Sequence, residues 1–153
     1  MRNRILIYIF LFASFSCNKA DDAMPKMVIT SADPAESTNP PKNGQLSKIG
    51  TFLSFAHSLE GNSSLFIDSV TNRTLRFESF TMIQGPDVYV FLSKSNNYSN
   101  ANVVKIAKLT DGYGNASISF DVDPSIDVET YKFVLVYCLQ YNSLFGYAEL
   151  KKI

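Results

Sequence analysis

The sequence predicts an all-β fold: a single antiparallel β-sandwich or barrel-like domain of about eight strands, carried behind a flexible tether. Three observations support this. From residue 46 onward the apolar runs are short, β-branched or aromatic, and separated by Gly, Asn, Asp or Pro. No segment shows a helical period. The stretch 46–153 is roughly a hundred residues, the size of one compact domain, and has no evident internal repeat.

In chain order the candidate strands are residues 48–56, 64–69, 74–82, 88–93, 103–109, 116–122, 131–141 and 145–150. Within the third, "LRFESF" alternates, placing Leu75, Phe77 and Ser79 on one face and Arg76, Glu78 and Phe80 on the other. In the sixth, "ASISFDV" puts Ile118, Phe120 and Val122 on a common face. Both patterns predict half-buried antiparallel strands. The seventh differs: Phe133, Leu135, Tyr137 and Leu139 fill one face, and Val134, Val136 and Cys138 the other. A strand apolar on both faces is central, which predicts that Cys138 is mostly buried.

The N-terminus points to export. Arg2 and Arg4 precede eleven almost wholly apolar residues, 5–15, and then Ser16 and Cys17, the layout of a signal peptide over residues 1–16. The apolar stretch is too short for a spanning helix, which needs about 20 residues. Cys17 resembles the lipidated cysteine of bacterial lipoproteins, although Ser14 and Phe15 replace the usual leucine and small residue. The following "CNKADD" is similar to the segment that sends Bacteroidetes-type lipoproteins to the outer cell surface. The resemblance implies a chain anchored through lipid on Cys17 to the cell envelope, at the outer membrane, on its periplasmic or surface face. Residues 17–45 then read as the lipidated cysteine and a tether, broken by Pro34, Pro40 and Pro41.

Loss of residues 1–16 removes two of 14 basic residues and none of 14 acidic ones, leaving 12 against 14, a net charge of −2. With no Lys/Arg cluster, nucleic acid is excluded as a partner class.

Once Cys17 carries lipid, Cys138 has no partner within the chain, which is unusual for an exported protein. It is either a small hydrophobe packing the core, or a redox or cofactor-ligating thiol needing partial exposure and a cationic or metallic neighbour. His57 is the only histidine, so it alone could supply an imidazole, either to Cys138 or to a backbone group in the turn before Gly61. Asp87 closes a Gly85-Pro86-Asp87 turn, where it either caps a neighbouring amide or presents a carboxylate near Cys138. One Cys and one His are too few for structural zinc. "DVDPSIDVE" (121–129) lacks the ligand spacing of an EF-hand, so its acids are read as solvated. No Gly-x-Ser-x-Gly elbow supports a hydrolase.

Three blocks, "GTFLSFAHSLEGNSSLFI" (50–67), "TLRFESFTMIQGPDVYVFLS" (74–93) and "YKFVLVYCLQYNSLFGYAEL" (131–150), resemble in order the signature blocks of the DM-thirteen domain. Gly50, Phe52, His57, Gly61, Phe80, Gly85, Pro86, Asp87, Cys138, Phe145 and Gly146 occupy the family's recurring places. Relatives often carry Trp beside the cysteine, where this chain has Tyr137. The resemblance implies a β-sandwich-like module proposed for electron transfer. Its cysteine would be the redox group, His57 would assist, and Cys138, His57 and Asp87 would be the candidates to bind a haem or other redox group. A separate redox partner protein would be needed, and no stand-alone catalytic activity is expected. The competing reading is a surface interaction module that binds a protein or glycan through loops such as 93–102, with Cys138 structural.

Overall fold

The computed structural model describes residues 35, 36, 41, 44–68 and 72–153. The expected signal peptide, Cys17 and most of the expected tether lie outside them. The strands are β1 (Ala35–Glu36), β2 (Gln45–Ser54), β3 (Leu59–Ile67), β4 (Arg73–Met82), β5 (Val88–Ser93), β6 (Val103–Leu109), β7 (Tyr113–Val122), β8 (Phe133–Cys138), β9 (Ser143–Glu149) and β10 (Lys151–Lys152). A 3-10 turn at Val128–Thr130 is the only helical element among the described residues.

All pairings are antiparallel, in the order β1-β7-β4-β3-β2-β9-β8-β5-β6, with β10 added to β2. Strand β2 serves two sheets. Its first part pairs with β3 from Gln45 to Thr51, and its last part pairs with β9 through Phe52, Leu53 and Ser54. The sheet therefore folds over on itself, and β6 and β7 approach without pairing, leaving a nearly closed eight-stranded barrel.

The eight predicted strands are present with shifted ends. β3 begins at Leu59, ahead of the expected start, and passes through a bulge where Gly61 takes φ of 119°. β8 stops at Cys138, and residues 139–142 turn back. The alternation expected for "LRFESF" is broken. Ser79 adopts φ of 52° in a bulge between the Phe77 and Phe80 rungs, which rotates Phe80 onto the Phe77 side. Both rings are fully buried and their centroids lie 4.9 Å apart. Leucine, isoleucine and valine from both halves of the barrel pack around this centre with Phe52 and Phe120.

Buried polar side chains join a connecting segment to β2 and join β4 to β7. Lys48, only 3% exposed, donates to the Val128 carbonyl at 2.9 Å and faces the Glu129 carboxylate at 3.7 Å. Arg76 binds Glu78 at 3.0 Å and Ser119 at 3.2 Å.

The register defines two ends. Gln45, Ile67, Arg73 and Val122 share one. Met82, Val88, Leu109, Tyr113, Cys138 and Ser143 share the other.

Phe77 meets Phe52 at 4.9 Å, Phe80 at 4.9 Å and Phe120 at 5.0 Å, so no neighbour can fill its place without unstacking another ring. Phe77→Ala should cost about 3–5 kcal/mol in a denaturant titration. A loss below about 1 kcal/mol would mean that the cluster does not organise the core.

Candidate functional site

Cys138 occupies the terminal rung of the sheet, opposite Val88 of β5 and Ser143 of β9. Its side chain points inward with Val134 and Val136 and is 1% exposed. Among the described residues the thiol forms no disulfide and no hydrogen bond. Just beyond this rung the chain turns, held by the Leu139 amide donating to the Asp87 carbonyl at 3.0 Å.

The turn 83–87 covers the same rung. Gly85 lies so close that a Cβ there would come within 2.4 Å of a Val88 methyl and 3.1 Å of the Phe145 ring. Phe145 is buried on β9, and His57 rests on its ring at 4.2 Å between centroids. Backbone bonds from Phe55 to Phe145 and from Ala56 to Leu144 hold this segment in place. His57, Phe145, Gly85 and Cys138 thus gather at one end of the barrel. No hydrogen bond joins His57 to Cys138 among the described residues.

Asp87 turns outward. Its carboxylate meets Lys108 Nζ at 2.9 Å and lies near the Tyr89 phenol. Lys108 holds the Asp87 carboxyl below the ordinary carboxylate value. Burial and the nearby Asp87 carboxylate raise the Tyr89 phenol. Lys108 could not be found from local sequence, because its nearness to Asp87 comes from the pairing of Tyr89 with Lys108 across β5 and β6. An open cleft of about 350 Å³ lies beside this pair, lined by Gln84, Gly85, Pro86, Lys108, Leu109 and Thr110.

The outer face of β8 carries a second apolar cluster. Phe91, Leu135 and Tyr137 are buried there beneath the 93–102 loop. Tyr98 from that loop stacks on Tyr137 at 4.1 Å and 12°, and Tyr137 donates to Asn142. Burial raises both phenols above their ordinary value. Cys138 therefore lies on a terminal rung of a strand covered by apolar clusters on both faces of its sheet.

The fit to a haem or metal is poor. Cys138 faces the core, the His57 ring packs on Phe145, the Asp87 carboxylate is engaged outward, and no three His, Cys, Asp or Glu among the described residues converge.

These features define a small antiparallel β module with one shielded thiol at its end. The chain belongs to the electron transfer DM13 family, whose sequence model matches residues 51–150. No curated protein and no solved structure matches it.

Two expectations follow. A methyl at position 85 must displace Val88 or Phe145, so Gly85→Ala should destabilise by about 1–3 kcal/mol by denaturant titration; a neutral result would mean that the turn does not press on the rung. Asp87 has a lowered folded value, so its contribution to stability is present above the unfolded carboxyl value and is lost as pH falls through the folded one. In an NMR titration the Asp87 carboxyl should therefore titrate below 3.8 and rise toward it in Lys108→Met. An unchanged midpoint would remove Lys108 as the cause.

Proposed function

We propose that this chain is a redox module of the cell envelope, anchored through lipid on Cys17, that exchanges electrons with a separate protein at Cys138. The observation that carries the proposal is the position of Cys138 on the terminal rung of a domain of the electron transfer DM13 family. A thiol in mid-strand would need the whole barrel to open. Here only the last rung and the 83–87 turn have to part, and openings of that kind cost less than global unfolding.

The chemistry open to one thiol is limited and balanced. Cys138 Sγ attacks a disulfide of the partner, an S–S bond forms between Cys138 and one partner sulfur, the partner's own S–S bond breaks, and the thiol proton passes to the leaving sulfur. His57 packs on Phe145 at the same end, and its imidazole would receive that proton first only once opening of the end releases the ring. Asp87 acts only indirectly, by fixing the turn through Lys108. No turnover of a substrate by the domain alone is implied.

One observation favours a second reading, a surface module binding a protein or glycan through loops such as 93–102. Cys138 is 1% exposed among apolar neighbours, which is how a packing cysteine sits.

Alkylation of the folded full chain separates the two, with adducts at position 138 quantified by peptide mass spectrometry. The redox reading predicts labelling faster than global unfolding, as measured by hydrogen exchange of core amides, because the last rung opens by itself. Labelling that tracks global unfolding at every denaturant concentration would leave Cys138 as a packing residue.

A further inference from the structure

Apart from C-terminal Ile153, the most exposed large apolar side chains among the described residues are Phe55 at 73%, Tyr141 at 68% and Ile83 at 57%. They come from three separate turns, and all three lie at the Cys138 end of the barrel. Phe55 continues β2 alongside β9, Ile83 follows β4, and Tyr141 sits between β8 and β9. Leu53, 54% exposed, extends the same outward face of β2 behind Phe55.

The charge distribution follows the same division. The segments "FAHS" (55–58), "IQGP" (83–86) and "LQYNS" (139–143) contain no Lys, Arg, Asp or Glu. At the margin of this end, Asp87 and Lys108 neutralise each other, Asp111 lies on the β6–β7 turn, and Glu60 stands exposed on β3 one residue in from Leu59. The opposite end carries Asp68, Arg73, Asp121, Asp123, Asp127, Glu129 and Lys132.

We propose that these three turns insert into the interfacial zone of a lipid bilayer. Aromatic and aliphatic side chains favour that zone, whereas charges in the same loops would oppose entry. Single side chains projecting from separate turns suit a deformable apolar phase, whereas a protein interface requires a complementary packed surface. Reach is sufficient if Cys17 is anchored as proposed above. Residues 18–34 span at most about 60 Å when extended, and Ala35 pairs with Ser119, about 20 Å along β7 from Tyr113 at the thiol end. The insertion itself does not depend on Cys138 being redox-active, and a water-soluble partner would reach the thiol in the free rather than the inserted state.

The chain contains no tryptophan, so Tyr141→Trp provides a single fluorescent reporter. In the full chain with phosphatidylcholine vesicles, its emission should shift to the blue and be quenched by brominated acyl chains, equally at low and high salt. The same reporter introduced as Ser125→Trp, at the opposite end, should show neither effect. Adding Phe55→Ser to Tyr141→Trp should lower the inserted-to-free ratio about tenfold, the effect of withdrawing one large apolar side chain. The proposal is overturned if vesicles leave emission from position 141 unchanged, if positions 125 and 141 respond alike, or if the response disappears with salt. A shift that develops with protein concentration in the absence of lipid would also overturn it, because the apolar turns would then be pairing with a second copy of the chain.

Discussion

The double membership of β2 is the constraint on which the rest of the structure depends. Antiparallel sheets of this size must close or stack to bury their apolar face, and here a single strand passes from one half to the other. The change of partner falls at Thr51 and Phe52. It requires close passage at Gly50, where a Cβ would lie 2.4 Å from the Glu149 carbonyl oxygen. Phe52 then enters the core at the corner and packs on Phe77 and Phe80. Because β2 runs on past that corner, its extension brings Phe55, Ala56 and His57 beside β9, where the Phe145 ring receives His57.

From this geometry follows the environment of the thiol. β8 is covered inside by the main core and outside by Tyr98 and the 93–102 loop, so Cys138 lies on a strand covered on both faces of its sheet. At its end lie the 83–87 turn, Phe145 and the 139–142 turn. The 83–87 turn is fastened there by an Asp87 carbonyl accepting from Leu139, a Gln84 side chain donating to the Thr110 carbonyl at 2.9 Å, and an Asp87–Lys108 pair in partial contact with water, while Phe55 and Ala56 bond to the backbone of β9 and Tyr137 to Asn142. The far end is fastened by a buried lysine on Val128 and Glu129, and by Lys152 reaching the same carboxylate at 2.6 Å. The burial of the thiol and its place on the terminal rung are thus both consequences of where β8 stops.

Much of this was legible in the sequence, for physical reasons that can be traced residue by residue. The apolar residues on both faces of 133–138 announced a central strand and a buried Cys138, and the structure has both. The Ile118, Phe120 and Val122 stripe likewise lies in the core. The alternation of "LRFESF" misled because strand period assumes an unbroken ladder. The left-handed φ of Ser79 adds a residue without advancing the register, and no local signal marks it. The early start of β3 was hidden by Gly61 and Asn62, which read as turn residues but lie in a bulged strand. Asp87 could be placed in its turn, but its pairing with Lys108 depends on the β5–β6 register, a tertiary fact. The separation of His57 from Cys138 by ring packing is of the same kind.

The central claim is that a thiol shielded on both faces of its sheet can still react from the end of the barrel while the barrel stays folded. Equilibrating the folded full chain in glutathione buffers of increasing oxidising potential, and measuring the mixed disulfide at position 138 alongside near-ultraviolet circular dichroism, tests this most directly. The account predicts an adduct at Cys138 that forms reversibly with the tertiary signal retained, and that is absent in Cys138→Ala. A thiol that stays unmodified across the whole range of potentials until the tertiary signal is lost would contradict it.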